Sequence, residues 1–106
     1  MPAIFAIALA LSLFLSGGGL PDARAAESKT IVFLGDSLTA GFGVERSEAF
    51  PALVAGKIRA AGLPYEVENA GLSGDTSAGG LRRIDWLLQR PIDVLVIELG
   101  ANDGLR

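Results

Sequence analysis

Two short apolar runs restrict the fold more than any other feature of the chain. Thr30-Ile31-Val32-Phe33-Leu34 and Val94-Leu95-Val96-Ile97 are continuous and rich in β-branched residues, and each leads into a glycine-containing loop. An alternating strand keeps one face in water, whereas an unbroken apolar run describes a strand covered on both faces, the habit of parallel sheets. Such strands need crossover connections of a dozen or more residues, usually helical. The intervening sequence supplies them.

A helix is expected after the loop from Gly35 to Arg46. Ser47 is a plausible N-cap, and Pro51 falls in the first turn, where its missing N–H costs little. Phe50, Leu53, Val54, Ile58 and Ala61 recur at helical spacing, and Gly62 followed by Leu63-Pro64 stops the element. Tyr65–Asn69 alternates weakly and reads as a second strand. Thr76 or Ser77 caps a second helix, with Leu81, Ile84, Leu87 and Leu88 as its inner stripe and Pro91 beyond its end. Asp93–Leu99 is the third strand. The order β-α-β-α-β predicts an α/β fold, an open doubly wound parallel sheet of flavodoxin-like three-layer form, seen over about three strands.

The first residues differ from the rest. Ala3 to Leu15 is apolar except for Ser12, which is too short to span a bilayer, a task needing about 20 residues. Ala23-Arg24-Ala25 then fits a small-residue cleavage site. Residues 1–25 therefore read as a secretory signal peptide, cut before Ala26, although the n-region carries no Lys or Arg. A buried helix or a membrane anchor is the alternative. The chain has no cysteine, so it has no disulfide framework, cysteine-ligated metal or cysteine-linked lipid. These features imply a soluble periplasmic or secreted protein with no stable membrane span after cleavage. A net charge of −3 gives no basic face for nucleic acid.

Parallel strands bring their C-terminal loops to one sheet edge, where open α/β folds bind ligands. Three such loops follow Leu34, Asn69 and Leu99. The first holds Ser37, a possible nucleophile. The second holds Gly74, whose backbone N–H no side chain shields. The third holds Asn102, an amide donor. A serine with two or three donors around one point stabilises a tetrahedral oxyanion in acyl transfer. The Ser37 N–H is a further donor if that residue opens a helical turn. The chain contains no histidine, the usual base for a serine nucleophile.

Gly35-Asp36-Ser37-Leu38, Asn69 through Ser77, and Gly100-Ala101-Asn102-Asp103 resemble, in order and spacing, the first three blocks of the GDSL or SGNH hydrolases. Glu98-Leu99 before the third block adds to the likeness, which covers about residues 30–106. The secreted bacterial thioesterase, lysophospholipase and arylesterase type is the nearest subgroup. The resemblance implies an ester or thioester hydrolase acting on small-molecule or lipid-like esters without metal or organic cofactor. It implies Ser37 as nucleophile and Gly74 and Asn102 as oxyanion donors. The family's Asp and His lie in a D-x-x-H block that nothing here matches. Residues 26–106 are accordingly expected to be the N-terminal part of such a domain, nearly inert alone.

Other residues have plainer readings. Asp36, Asp75 and Asp103 are expected to bond loop N–H groups. Gly41, Gly79 and Gly80 are expected to serve the backbone. Trp86 is expected to pack on the sheet or shield a helix edge, and Arg82, Arg83 and Arg90 to form a solvated helix face. Glu98 lies in a buried-looking strand with no partner evident. A different class of function is a flavodoxin-like module binding a small molecule or phosphate without catalysis. Against it, the first loop lacks both G-x-G-x-x-G and the Walker lysine. An unpaired edge at Val94–Ile97 is expected to make the isolated piece poorly soluble.

Overall fold

A computed structural model describes residues 27–105. Its centre is a sheet of three parallel strands in the order β2-β1-β3. Strand β1, Lys29–Gly35, lies in the middle, and Val32, Phe33 and Leu34 are its buried residues. It pairs with β2, Tyr65–Gly71, from Lys29↔Tyr65 to Gly35↔Gly71. On its other edge it pairs with β3, Val94–Glu98, from Ile31↔Val94 to Gly35↔Glu98. Gly35 thus stands level with the ends of both neighbours. Asp93, expected in the third strand, precedes it and exchanges bonds with Thr30.

The chain leaves β1 through Asp36 into the short helix α1, Ser37–Ala40. The expected Ser47 cap is not what starts the next helix. Ser47 lies inside a 3₁₀ turn, Arg46–Glu48, where the Glu48 carboxylate accepts from the Glu45 N–H at 3.0 Å. Helix α2, Phe50–Ala60, begins after Ala49, with Pro51 in its first turn. Its end follows the glycine rule. Gly62 adopts φ +67°, its N–H reaches Arg59 O at 3.0 Å, and the Leu63 N–H reaches Ile58 O at 3.1 Å. That pair of bonds is a Schellman motif. Phe50 meets Phe33 edge-on with ring centroids 5.4 Å apart, so α2 covers the face of the sheet that Phe33 presents. Pro51 is buried, Val54 and Ile58 are half-buried, and Leu53 and Ala61 are exposed.

Helix α3, Ser77–Leu87, is capped by Thr76, whose Oγ1 accepts from the Gly79 N–H at 3.1 Å. Its seat differs from the expected stripe. Gly79, Gly80 and Leu87 are buried, while Leu81 is 74% exposed and Leu88 is exposed. The glycines decide this by close approach. A Cβ on Gly80 would lie 2.3 Å from Leu99 Cδ1, with Leu34 also beside it. Successive residues of β1 point to opposite faces, so α3 lies on the Leu34 face and α2 on the Phe33 face. That is the doubly wound arrangement. Trp86 does not pack on the sheet. It is 67% exposed, with the Arg90 guanidinium 5.8 Å from its ring. Arg90 also pairs with Glu68.

Strand β3 is one open edge of the described sheet, β2 being the other. Val94, Val96 and Ile97 are exposed, and Leu34, Gly80, Leu81, Ile84, Ile97 and Leu99 line an apolar groove of about 260 Å³ beside it. Among the described residues no helix is long and apolar enough to cross a membrane. The signal peptide expected over 1–25 lies outside the described residues. Expressed by itself, the 26–106 segment is expected to aggregate or fold only partly, because apolar edges recruit other strands; a soluble monomer with a cooperative melt would contradict this. In the full-length protein, Gly71→Ala is expected to cost about 1–3 kcal/mol by overpacking. Its Cβ would fall 2.3 Å from the backbone nitrogen of Ala40. An unchanged denaturation midpoint would refute that placement.

Candidate active site

The corner after β1 is a strand-to-helix turn built by a buried aspartate. Asp36 is 1% exposed, and its Oδ1 accepts from the Leu38 N–H at 3.0 Å. This is the N–H bonding role expected of it, and it serves as the N-cap of α1. Ser37 is the first residue of that helix and is half-buried. Its carbonyl accepts from the N–H groups of Gly41 and Phe42, both at 2.9 Å. Gly41 has φ +95° and ends the helix after one turn. The turn can form only because Gly35 lacks a side chain: a Cβ there would sit 2.0 Å from Thr39 Oγ1.

The second loop turns back on itself at Leu72–Asp75, with the Asp75 N–H on Leu72 O at 3.1 Å. Gly74 occupies its third position at φ +82°, where an L side chain would be strained. The neighbouring glycine is differently employed. The Gly71 N–H donates to Asn69 Oδ1 at 2.8 Å, so it is already satisfied within the loop. Asn69 Nδ2 in turn donates to Thr39 O at 2.8 Å and ties this loop to α1.

The third loop is a 3₁₀ turn, Ala101–Leu105. Asn102 is half-buried within it, and its Nδ2 donates to Asp75 O at 2.9 Å. An amide nitrogen carries two hydrogens, so one remains for another acceptor. The bond joins the second and third loops at the residue after Gly74. All three expected site residues therefore stand on loops at the same sheet edge, and hydrogen bonds connect each loop to another.

Two polar contacts complete the connection, and one was misread in the sequence. Arg83, expected in a solvated face with Arg82 and Arg90, turns inward instead. It bonds Asp75, Ala70 O and Gly35 O. Its position three residues after Gly80 and four before Leu87 puts it on the helix face that meets the sheet, a signal present in the spacing. The other contact gives Glu98 its partner: Oε1 accepts from Thr39 Oγ1 at 2.8 Å.

Asp103 holds the start of α3. Its Oδ1 accepts from the Ser77 N–H at 2.8 Å, and its Oδ2 takes the Ser77 hydroxyl. The hydroxyl bond first, then the N–H bond, lower its pKa below the usual 3.8. A lowered folded-state value favours the carboxylate in the native protein. Its contribution is complete above the ordinary aspartate value and is lost as pH falls below it, through the lowered folded value. The Ser77 amide resonance is therefore expected to stay constant from neutral pH to about 4 and to move only in stronger acid. Movement centred near neutrality would contradict the contact. In Ser77→Ala the Asp103 titration is expected to shift upward.

Residues 33–106 match the model of the GDSL-like lipase/acylhydrolase family. Esterase TesA of Pseudomonas aeruginosa is 46% identical over 83 residues, covering 76% of this chain and 41% of the relative. Thioesterase 1/protease 1/lysophospholipase L1 of Escherichia coli K12 is 49% identical over 85 residues, covering 78% and 39%. Among solved structures, the psychrotrophic esterase EstA from Pseudoalteromonas, inhibited by monoethylphosphonate, is 44% identical with a TM-score of 0.67. That match covers 74% of this chain and 44% of EstA. The chain thus spans about two-fifths of the length of the curated relatives it matches. With the family model running from β1 through the third loop, and with a parallel α/β sheet like that of its solved neighbours, the chain belongs to the GDSL-like lipase/acylhydrolase family.

Proposed function

We propose that these residues are the nucleophile-bearing part of an exported serine hydrolase that cleaves carboxylic esters or thioesters through an acyl-enzyme. The observation that carries this reading is the bond from Asn102 Nδ2 to Asp75 O. It sets a half-satisfied amide beside the Gly74 turn, at the sheet edge where Ser37 opens α1. The names of the relatives, esterase and thioesterase/lysophospholipase, point to the same substrate class. Export rests on the signal-like residues 1–25.

In this scheme Ser37 Oγ attacks the acyl carbon and the carbonyl electrons move to oxygen. The Gly74 N–H, the free Asn102 Nδ2 hydrogen and the Ser37 N–H stabilise that oxyanion. Collapse of the tetrahedral intermediate expels the alcohol or thiol, and water then releases the acid. The Ser37 proton needs a base. The 106 residues hold no histidine, so the family's Asp and His would come from residues outside them. The scheme requires no metal or organic cofactor.

Treating the full-length protein with a fluorophosphonate is expected to add one equivalent at Ser37, located by peptide mass spectrometry. Ser37→Ala should abolish both labelling and ester hydrolysis. Asn102→Ala should lower kcat by about 10²–10³ through loss of one oxyanion donor. A folded protein that leaves Ser37 unlabelled and hydrolyses neither esters nor thioesters would sink this reading in favour of a non-catalytic binding module.

A further inference from the structure

Arg83 touches the ends of both β1 and β2 and the loop carrying Gly74. Its Nε and Nη2 donate to Asp75 Oδ2 at 3.0 and 2.6 Å. Nη1 donates to Ala70 O at 3.0 Å, and Nη2 also reaches Gly35 O at 3.3 Å. Gly35 lies two residues before Ser37. Asp75 follows Gly74, and its carbonyl receives the Asn102 amide. One planar group thus joins the end of the strand before Ser37 to the turn that carries Gly74, and Asn102 bonds that same turn.

The surroundings make this fixing strict. The Asp75 side chain is 8% exposed and that of Arg83 27% exposed, so water competes weakly for the pair. Gly79 permits the approach: a Cβ there would lie 1.8 Å from Asp75 Oδ1. Arginine offers five N–H donors in a rigid fork, whereas a lysine ammonium is a compact point charge on a flexible stem. A partly buried ion pair adds little to stability once its desolvation is counted, so such a pair is weak evidence of a stabilising role. Its geometric effect is larger. Displacing a reacting group by about 1 Å costs about 10²-fold in rate.

We propose that Arg83 is a positioning residue for the reaction: it touches no reacting atom and holds the Gly74–Asp75 turn in register with the Ser37 corner. The proposal rests on the hydrolase reading above. Gly35 O and Ala70 O have backbone positions set by the sheet, and the Leu72 N–H already donates to Gly35 O at 2.9 Å, so Asp75 is the handle by which the arginine holds the far end of the turn.

The test compares full-length wild type with Arg83→Met and Arg83→Lys in two assays. In steady-state hydrolysis of a short-chain aryl ester, Arg83→Met is expected to lose about 10²-fold in kcat with KM within about twofold. Arg83→Lys should recover less than about tenfold of that loss. In hydrogen exchange read by mass spectrometry, both variants should exchange faster in residues 71–76, with the β1 core unchanged. Wild-type rates in Arg83→Lys, or a lower melting temperature with unchanged kcat, would overturn the proposal. Exchange unchanged in residues 71–76, or accelerated uniformly across the fold, would also overturn it. If Arg83→Met does not fold, Arg83→Lys decides alone. An inactive wild type would refute the hydrolase reading, while exchange would still show whether the arginine holds the turn.

Discussion

Everything at the candidate site depends on β1 being paired along both edges. A central parallel strand has no choice of register left once both neighbours are in place. Gly35 is level with Gly71 on one side and Glu98 on the other. The loops of β2 and β3 must then leave the sheet on either side of the β1 loop, each about 4.8 Å from it and about 10 Å from each other. The apolar side chains of Val32 and Leu34 fix the strand in the interior. The polar chemistry begins two residues after Leu34, at Asp36, the first point where the backbone is free of the ladder.

Crowding at that edge is resolved by glycine. Gly35 lies under Thr39 and Gly71 under the backbone of Ala40, each closer than a Cβ would allow. The space gained is filled by hydrogen-bonding groups instead of apolar packing. Thr39, Asn69 and Glu98 form one bonded group around the three loops, and Arg83 with Asp75 another. Such networks specify geometry more than they add stability, because each group gives up water to make its bonds. That suits an oxyanion site, where donors must already be aimed before charge develops.

Most of this was legible in the chain. The two apolar runs gave β1 and β3, and Gly62 gave the end of α2, because backbone chirality makes glycine the natural residue at a left-handed cap. The three loops that carry Ser37, Gly74 and Asn102 were legible through their blocks. Helix faces were less so. The stripe Leu81, Ile84, Leu87 and Leu88 obeys helical periodicity and Leu87 is indeed buried, yet α3 also turns Gly79 and Gly80 inward and leaves Leu81 and Leu88 exposed. Periodicity ranks faces by hydrophobicity and cannot weigh how closely a bare glycine face can approach a sheet. The same blindness hid Arg83, whose charge places it outside by composition while its spacing from Gly80 places it inside. Ser47 failed as a cap for another reason. Glu45 and Glu48 form a competing turn one step earlier, and local side-chain bonds of that kind override a single-residue preference.

The open edge of β3 and the site are mechanically linked. Glu98, the last residue of β3, holds Thr39, and Thr39 packs against Gly35 beneath the Ser37 corner. Motion of β3 relative to β1 is therefore transmitted to α1 through one hydrogen bond and one steric contact. The face that would resist such motion is the apolar one, where Ile97, Leu99, Leu81 and Ile84 stand around Leu34. Covering those side chains removes apolar surface from water, which favours a single fixed position for β3. A fixed β3 holds Glu98, and Glu98 holds the helix that presents Ser37. Hydrophobic burial on one side of the sheet edge thus acts on the corner that carries Ser37.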